Sequence, residues 1–426
     1  MATTSFTGDA RPYGGGDPYA DYRSADLPFT GLVDLADRRL GAAVVAANDE
    51  FFAERENLLT PGPAVFDPER FGHKGKIMDG WETRRRRGAS AARPHPTGED
   101  HDWALVRLGV PGVVRGIVVD TAHFRGNYPR AVSIEATSLP GSPSPEELLA
   151  DGVPWTTLVP RTVVGGHAAN GFSVGAAAGV GSDGAGRRFT HLRVNQHPDG
   201  GIARLRVYGE TAPDPGWLAA LGTFDLVALE NGGRVEDASD RFYSPATNTI
   251  RPGRSRQMDD GWETRRRRDT GHDWIRYALA ERSEIRAVEI DTAYLKGNAA
   301  GWAALSVRDA GPGTDPHAGP GTDADSEHGT AADTGPGTGT GAGADADAGP
   351  GGATGAGPGG DWTEILARTR LQPDSVHRFV LDRPVTARQV RIDIFPDGGI
   401  SRLRLFGSLT DDGAARLAER HRELGG

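Results

Sequence analysis

The chain has no cysteine, which excludes disulfides, zinc–thiolate centres and cysteine nucleophiles together. Lysine is nearly absent, occurring only as Lys74, Lys76 and Lys296. Almost all positive charge is therefore guanidinium. Positive charge is also in deficit: 48 Lys and Arg face 58 Asp and Glu, for a formal net charge of −10. That balance argues against a general nucleic-acid-binding face, although a local cationic pocket remains compatible with it. No apolar run approaches the roughly 18 residues of a membrane span. The stretch through Asp26 is polar and Gly/Tyr-rich, without the apolar centre of a targeting peptide. These absences lead us to expect a soluble cytoplasmic protein with no nucleic-acid or membrane partner. Helical periodicity is scarce as well, with short candidates only at 145–150, 214–221 and 412–424.

What is present is repetition. The eight residues Gly80-Trp81-Glu82-Thr83-Arg84-Arg85-Arg86-Arg87 recur unchanged as Gly261 to Arg268, an offset of 181. A match of that length indicates internal duplication. Upstream, Phe29 to Ala36 is echoed by Phe224 to Glu230, and Asn48-Asp49 with Phe51-Phe52 by Ser239-Asp240 with Phe242-Tyr243. Downstream, His101-Asp102-Trp103 matches His272-Asp273-Trp274, and Asp120-Thr121-Ala122-His123 matches Asp291-Thr292-Ala293-Tyr294, both at an offset of 171. Each repeat closes on a Pro-Asp-Gly-Gly segment, Pro198 to Gly201 and Pro396 to Gly399, flanked by alternating apolar and polar residues. Turn chemistry between period-two segments predicts antiparallel hairpins. Many short strands with Gly/Pro punctuation predict an all-β fold of two tandem jelly-roll sandwiches.

The offset rises to 207 by Trp155 and Trp362, so the second repeat carries 36 extra residues. They fall in a Gly/Ala/Pro/Thr/Asp tract at about 310–360 that lacks large apolar side chains, and such a tract is expected to be disordered. The predicted organisation is a disordered lead-in at 1–27, a first repeat at 28–211, a second at 222–410 and a tail at 411–426.

The segments Lys74 to Arg84, Val119 to Pro129 and His197 to Gly201 together resemble the allantoicase family, and the resemblance spans both repeats. It implies two galactose-binding-like jelly rolls. It also implies hydrolysis of allantoate to ureidoglycolate and urea, a step of purine catabolism.

A site for allantoate needs a cation for its carboxylate, and an arginine fork suits that role. It needs acceptors for ureido N–H groups and a group that moves protons as urea departs. Lys76, Arg84, Arg86, Asn127 and Asp199 are the candidates for binding, and Glu82, Asp120, His123 and His197 for catalysis. The histidines are favoured because only the first repeat has them: the second has Tyr294 and Phe395 in their places. A divalent metal is possible, but no fixed ligand spacing such as HExxH appears. A homo-oligomer with a shared site is also possible. The alternative is a non-catalytic jelly-roll module that binds a small anionic or sugar-like ligand, since the fold alone does not decide function.

Overall fold

The computed structural model describes residues 11–12, 27–175, 186–309 and 362–426. The expected disordered insert lies outside these residues, as does nearly all of the expected lead-in.

Each repeat is organised on one strand of 19 residues, Asp102–Asp120 in the first and Asp273–Asp291 in the second. The first half of Asp102–Asp120 pairs with Ala43–Ala47 and with Phe189–His197, which continues the sheet through Ala131–Thr137 to Thr156–Val163. Its second half pairs with Ala168–Ser173 on one side and Arg204–Thr211 on the other. One strand thus serves both sheets, and inward residues from both, such as Val106, Ile117, Ile134, Val194, Leu205 and Val207, form a single buried cluster. That is the packing of a sandwich.

This corrects the hairpin expectation. Phe189–His197 and Arg204–Thr211 do not pair with each other; they hydrogen-bond to different halves of the long strand. The Pro-Asp-Gly-Gly segment carries the chain from one sheet to the other. Its last residue pairs instead with the repeated signature, Gly201–Ile202 lying against Trp81–Glu82 and Gly399–Ile400 against Trp262–Glu263. Glycine is required at the crossing. Gly200 has φ 147°, and a Cβ there would sit 2.5 Å from Pro129 N. Alternating polarity cannot distinguish a hairpin from such an arch, because both present one face to the core.

The first strand of the duplication also shifts. Val33–Asp34, not Phe29, is the counterpart of Phe224–Asp225, since each pair joins the closing strand of its repeat. Phe29 packs in a separate small cluster with Tyr208 and Phe124. The three helical expectations fall on Pro145–Leu149, Pro215–Leu221 and Asp411–Glu423.

The repeats are packed together. Leu40, Val110 and Leu218 join the core cluster of the second repeat. Across the junction Arg188 N donates to Leu424 O at 2.8 Å. Among the described residues no helix is long and apolar enough to cross a membrane.

Candidate active site

The signature enters the sandwich through its tryptophans. Trp81 and Trp262 are fully buried, and their indole N–H groups donate to Asp49 O at 2.8 Å and Asp240 O at 2.9 Å. Gly80 is needed beside Trp81, because a Cβ there would lie 2.6 Å from Ile202 O. Thr83 and Thr264 close the arch, each backbone N–H donating at 3.0 Å to the oxygen of Gly200 or Gly398. The signature strand is therefore fixed at the mouth of each arch, with Glu82 and the arginines just beyond the core.

In each signature the first and third arginines are committed. Arg84 Nε donates to Asp49 at 2.6 Å, and Arg265 does the same to Asp240 at 2.7 Å. Arg86 holds Asp102 at 2.6 Å and gives its backbone N–H to Asp199 at 2.7 Å. Arg267 repeats this with Asp273 at 3.0 Å and Asp397 at 2.6 Å. Arg84, Arg86 and Asp199, all expected to bind substrate, thus participate in contacts that both repeats share. Arg85 was not singled out by the sequence. It is exposed, makes no hydrogen bond or ion pair among the described residues, and its charge acts on both Glu82 and Asp199.

Glu82 is half-buried. Asn127 Nδ2 donates to its Oε1 at 2.8 Å. Burial pushes the Glu82 carboxyl above its ordinary range, against the opposing effects of the Asn127 bond and the Arg85 charge. Burial likewise raises Asp199, opposed by the N–H of Arg86. The second repeat keeps both Glu263 and Asn298 but does not join them: Asn298 Nδ2 turns to Met258 Sδ at 3.3 Å.

The remaining expected residues lie around this centre. Asp120 is 2% exposed, and its Oδ1 accepts the N–H of Ala122 at 2.8 Å; Asp291 and Ala293 form the same bond. Asp120 therefore shapes the loop that carries His123 and Asn127. Lys76 bonds to the carbonyls of Asp67 and Arg70 and lies over the Phe66 and Phe71 rings. His123 occupies the left-handed region at φ 67°, as does Tyr294 at φ 65°, a conformation that non-glycine residues seldom adopt. Its Nε2 faces Ala64 O at 3.2 Å, which assigns the ring proton to that nitrogen and leaves Nδ1 as a lone-pair base. The ring stacks on Phe66, and burial lowers its pKa.

His167, which the sequence did not flag, holds this loop: its Nδ1 accepts the backbone N–H of His123 at 2.8 Å. Asp374 performs the same function for Tyr294 at 2.7 Å. The offset of 207 that aligns the two tryptophans also aligns His167 with Asp374, so the repeat comparison contained that signal.

His197 is 8% exposed, with Nε2 against Ser133 Oγ at 2.9 Å and the Nδ1 atom buried without a partner. Burial, aided by the Arg161 and His101 charges, pushes it down to about 4. It is neutral at pH 7 and buried. The proton shuttling near neutral pH expected of His197 does not fit that state. Among the described residues no group of three or more His, Cys, Asp or Glu side chains is placed to hold a metal ion, so the possible divalent metal finds no matching donor set there.

A family model of the allantoicase repeat matches residues 33–212 and again 224–410. A probable allantoicase of Streptomyces avermitilis is 69% identical over 421 residues, covering 99% of this chain and 97% of that protein. One from Nocardia farcinica is 43% identical over 388 residues, covering 91% and 97%. The crystal structure of allantoicase from Saccharomyces cerevisiae superposes with a TM-score of 0.63 at 27% identity, covering 88% of this chain and 92% of that one. The chain, with its two jelly-roll repeats, belongs to the allantoicase family.

Proposed function

We propose that this protein hydrolyses allantoate to ureidoglycolate and urea at the mouth of the first repeat's arch, with Glu82 as the acid–base group. The observation that carries the placement is the Asn127–Glu82 bond, which the second repeat does not form although it has both residues.

In this reading Arg85 binds the allantoate carboxylate, and Asp199 accepts a ureido N–H. Glu82, whose acid form is favoured by its buried setting, gives its proton to the nitrogen of the departing ureido group as the carbon–nitrogen bond breaks. Urea leaves neutral, and the lone pair of the remaining ureido nitrogen stabilises the carbon as an iminium. The Glu82 carboxylate then takes a proton from water while the water oxygen bonds that carbon. The product is ureidoglycolate, and Glu82 returns to its acid form. Asn127 orients the carboxyl, and His123 is the second group able to carry a proton. Arg84, Arg86, Asp120 and Lys76 hold the frame around these groups, and His197 supports the arch. We place the enzyme in the cytoplasm, in keeping with its lack of cysteine, and regard a homo-oligomer as compatible with a mouth open to solvent.

The test is urea release from allantoate by the purified chain, measured with and without added divalent metal. Release that falls about a thousandfold in Glu82→Gln is expected, within the usual range for loss of an acid–base group. Saturable allantoate binding without urea release would replace the enzyme with a binding module.

A further inference from the structure

The repeats enclose a cleft of about 880 Å³, lined from the first repeat by Asp34 and Arg206 among others and from the second by Tyr243, Arg251 and Asp259. We propose that this cleft is a second ligand site, distinct from the arch mouth, for a small carboxylate that also carries N–H donors: a ureido acid.

Arg251 carries the argument. Its side chain is 15% exposed and, among the described residues, donates no hydrogen bond, being held by ion pairs alone. The nearest carboxylate oxygens belong to Asp37 of one repeat at 3.7 Å and Asp260 of the other at 3.8 Å, beyond hydrogen-bond reach. The other buried arginines near the junction are satisfied. Arg206 donates to the oxygens of Leu205, Thr60 and Pro61, and Arg402 to Asp260 and to the carbonyls of Gly253 and Ser401. The unbonded donors of Arg251 are not sealed from water, so a ligand in the cleft can offer them acceptors in exchange. Burial lowers Arg251 to about 10.

The duplication shows that these groups are not part of the shared frame. Arg251 caps the short helix Ala246–Ile250, and its counterpart, capping Arg55–Leu59, is Thr60. The counterpart of Asp259 is the buried Met78, and that of Tyr243 is Phe52. Asp259 is exposed, and neither its carboxylate nor the Tyr243 hydroxyl has a partner among the described residues. At these positions only the second repeat therefore has a cation, a carboxylate and a hydroxyl, all of which line the cleft. An inorganic anion would satisfy Arg251 and be repelled by Asp259. A ligand with a carboxylate at one end and ureido N–H groups at the other satisfies both, since an arginine fork matches the first and a carboxylate acceptor the second. The choice of ureido acid as the natural ligand rests on the activity proposed above; the existence of the site does not.

N-carbamoylglycine is a suitable probe, titrated calorimetrically into the full chain. We expect two sites in the wild type, one in Arg85→Ala and one in Arg251→Gln. Asp259→Asn, an exposed change that leaves the core intact, should weaken the cleft site roughly tenfold or more, as loss of a charged hydrogen-bond partner does. Unchanged binding in both Arg251→Gln and Asp259→Asn, or a single site in the wild type that Arg85→Ala abolishes, would overturn the proposal. Should Arg251→Gln fail to fold, Asp259→Asn alone decides. Urea release by the same variants is read separately, so a failure of the catalytic assignment, seen as full activity in Arg85→Ala, is distinguishable from a failure of the cleft.

Discussion

The two repeats share a skeleton of buried polar contacts and differ in what they place upon it. Asp79–Arg204 and Asp260–Arg402 are the same ion pair at 2.8 and 3.0 Å. Asp34 accepts the N–H of Val207 at 2.9 Å, and Asp225 that of Leu405 at 3.0 Å. Asn57 and Asn248 both donate to the carbonyl of the signature glycine, at 3.0 and 2.9 Å. A contact made twice, in two sequences that have otherwise diverged, answers to the fold. The differences are few and concentrated. Only the first repeat joins Asn127 to Glu82 and sets Ser133 against His197. In the second, Phe395 replaces that histidine and Arg368 lies over its ring at 3.6 Å. His272 pairs with Asp393 at 2.8 Å, a carboxylate that replaces Asn195. The second repeat thus puts an arginine–aromatic contact and a histidine–carboxylate pair where the first has Ser133 and His197. The comparison teaches that one frame can hold different polar contacts at the mouths of its two copies.

The largest expected effect tests the shared part. Trp81→Ala and Trp262→Ala should each destabilise the chain by about 3–5 kcal/mol, measured by denaturant unfolding. A large difference between the two would break the claim of equivalent architecture. Next is the chemistry. Glu82→Gln should lower kcat about a thousandfold, whereas Glu263→Gln should leave urea release nearly intact; equal losses would put both mouths to work.

A smaller effect concerns Asp34, which burial pushes up to about 6. Its folded pKa lies above the ordinary 3.8, so its protonated form favours folding. That contribution is fully present below pH 3.8 and is lost as pH rises through about 6. Asp34→Asn should remove up to roughly 3 kcal/mol of this pH dependence, measured as the difference between wild-type and variant stability across that window. Asp225→Asn should act in the same direction, since burial raises Asp225 too. The smallest effect separates the repeats again. Asn127→Ala should lower kcat/KM roughly tenfold, the loss of one hydrogen bond to a charged group, with Asn298→Ala near neutral.

Much of the fold was legible in the sequence. The duplicated signature, the turn glycines and the strand alternation are local, and local identity is enough to recognise two β-sandwich repeats. The arch was not legible, because a strand that turns back and a strand that crosses to the opposite sheet have the same period. Nor was the division of labour within Arg84 to Arg87. The residues that commit Arg84 and Arg86 lie 35, 16 and 113 positions away, on elements whose proximity depends on the sheet pairing. His197 was selected correctly as a difference between the repeats, but its burial could not be read from its neighbours in the chain.

By itself the sequence determined the duplication, the sandwich and, through the signature and its companions, the family. These depend on residue identity and spacing, which the chain carries directly. The tertiary structure alone decided which guanidinium groups are paired, which carboxyl is raised and which of two identical signatures joins its glutamate to an asparagine. A charged side chain takes its role from whether a partner lies within about 3 Å and whether water can reach it, and distant segments settle both only when the chain has folded.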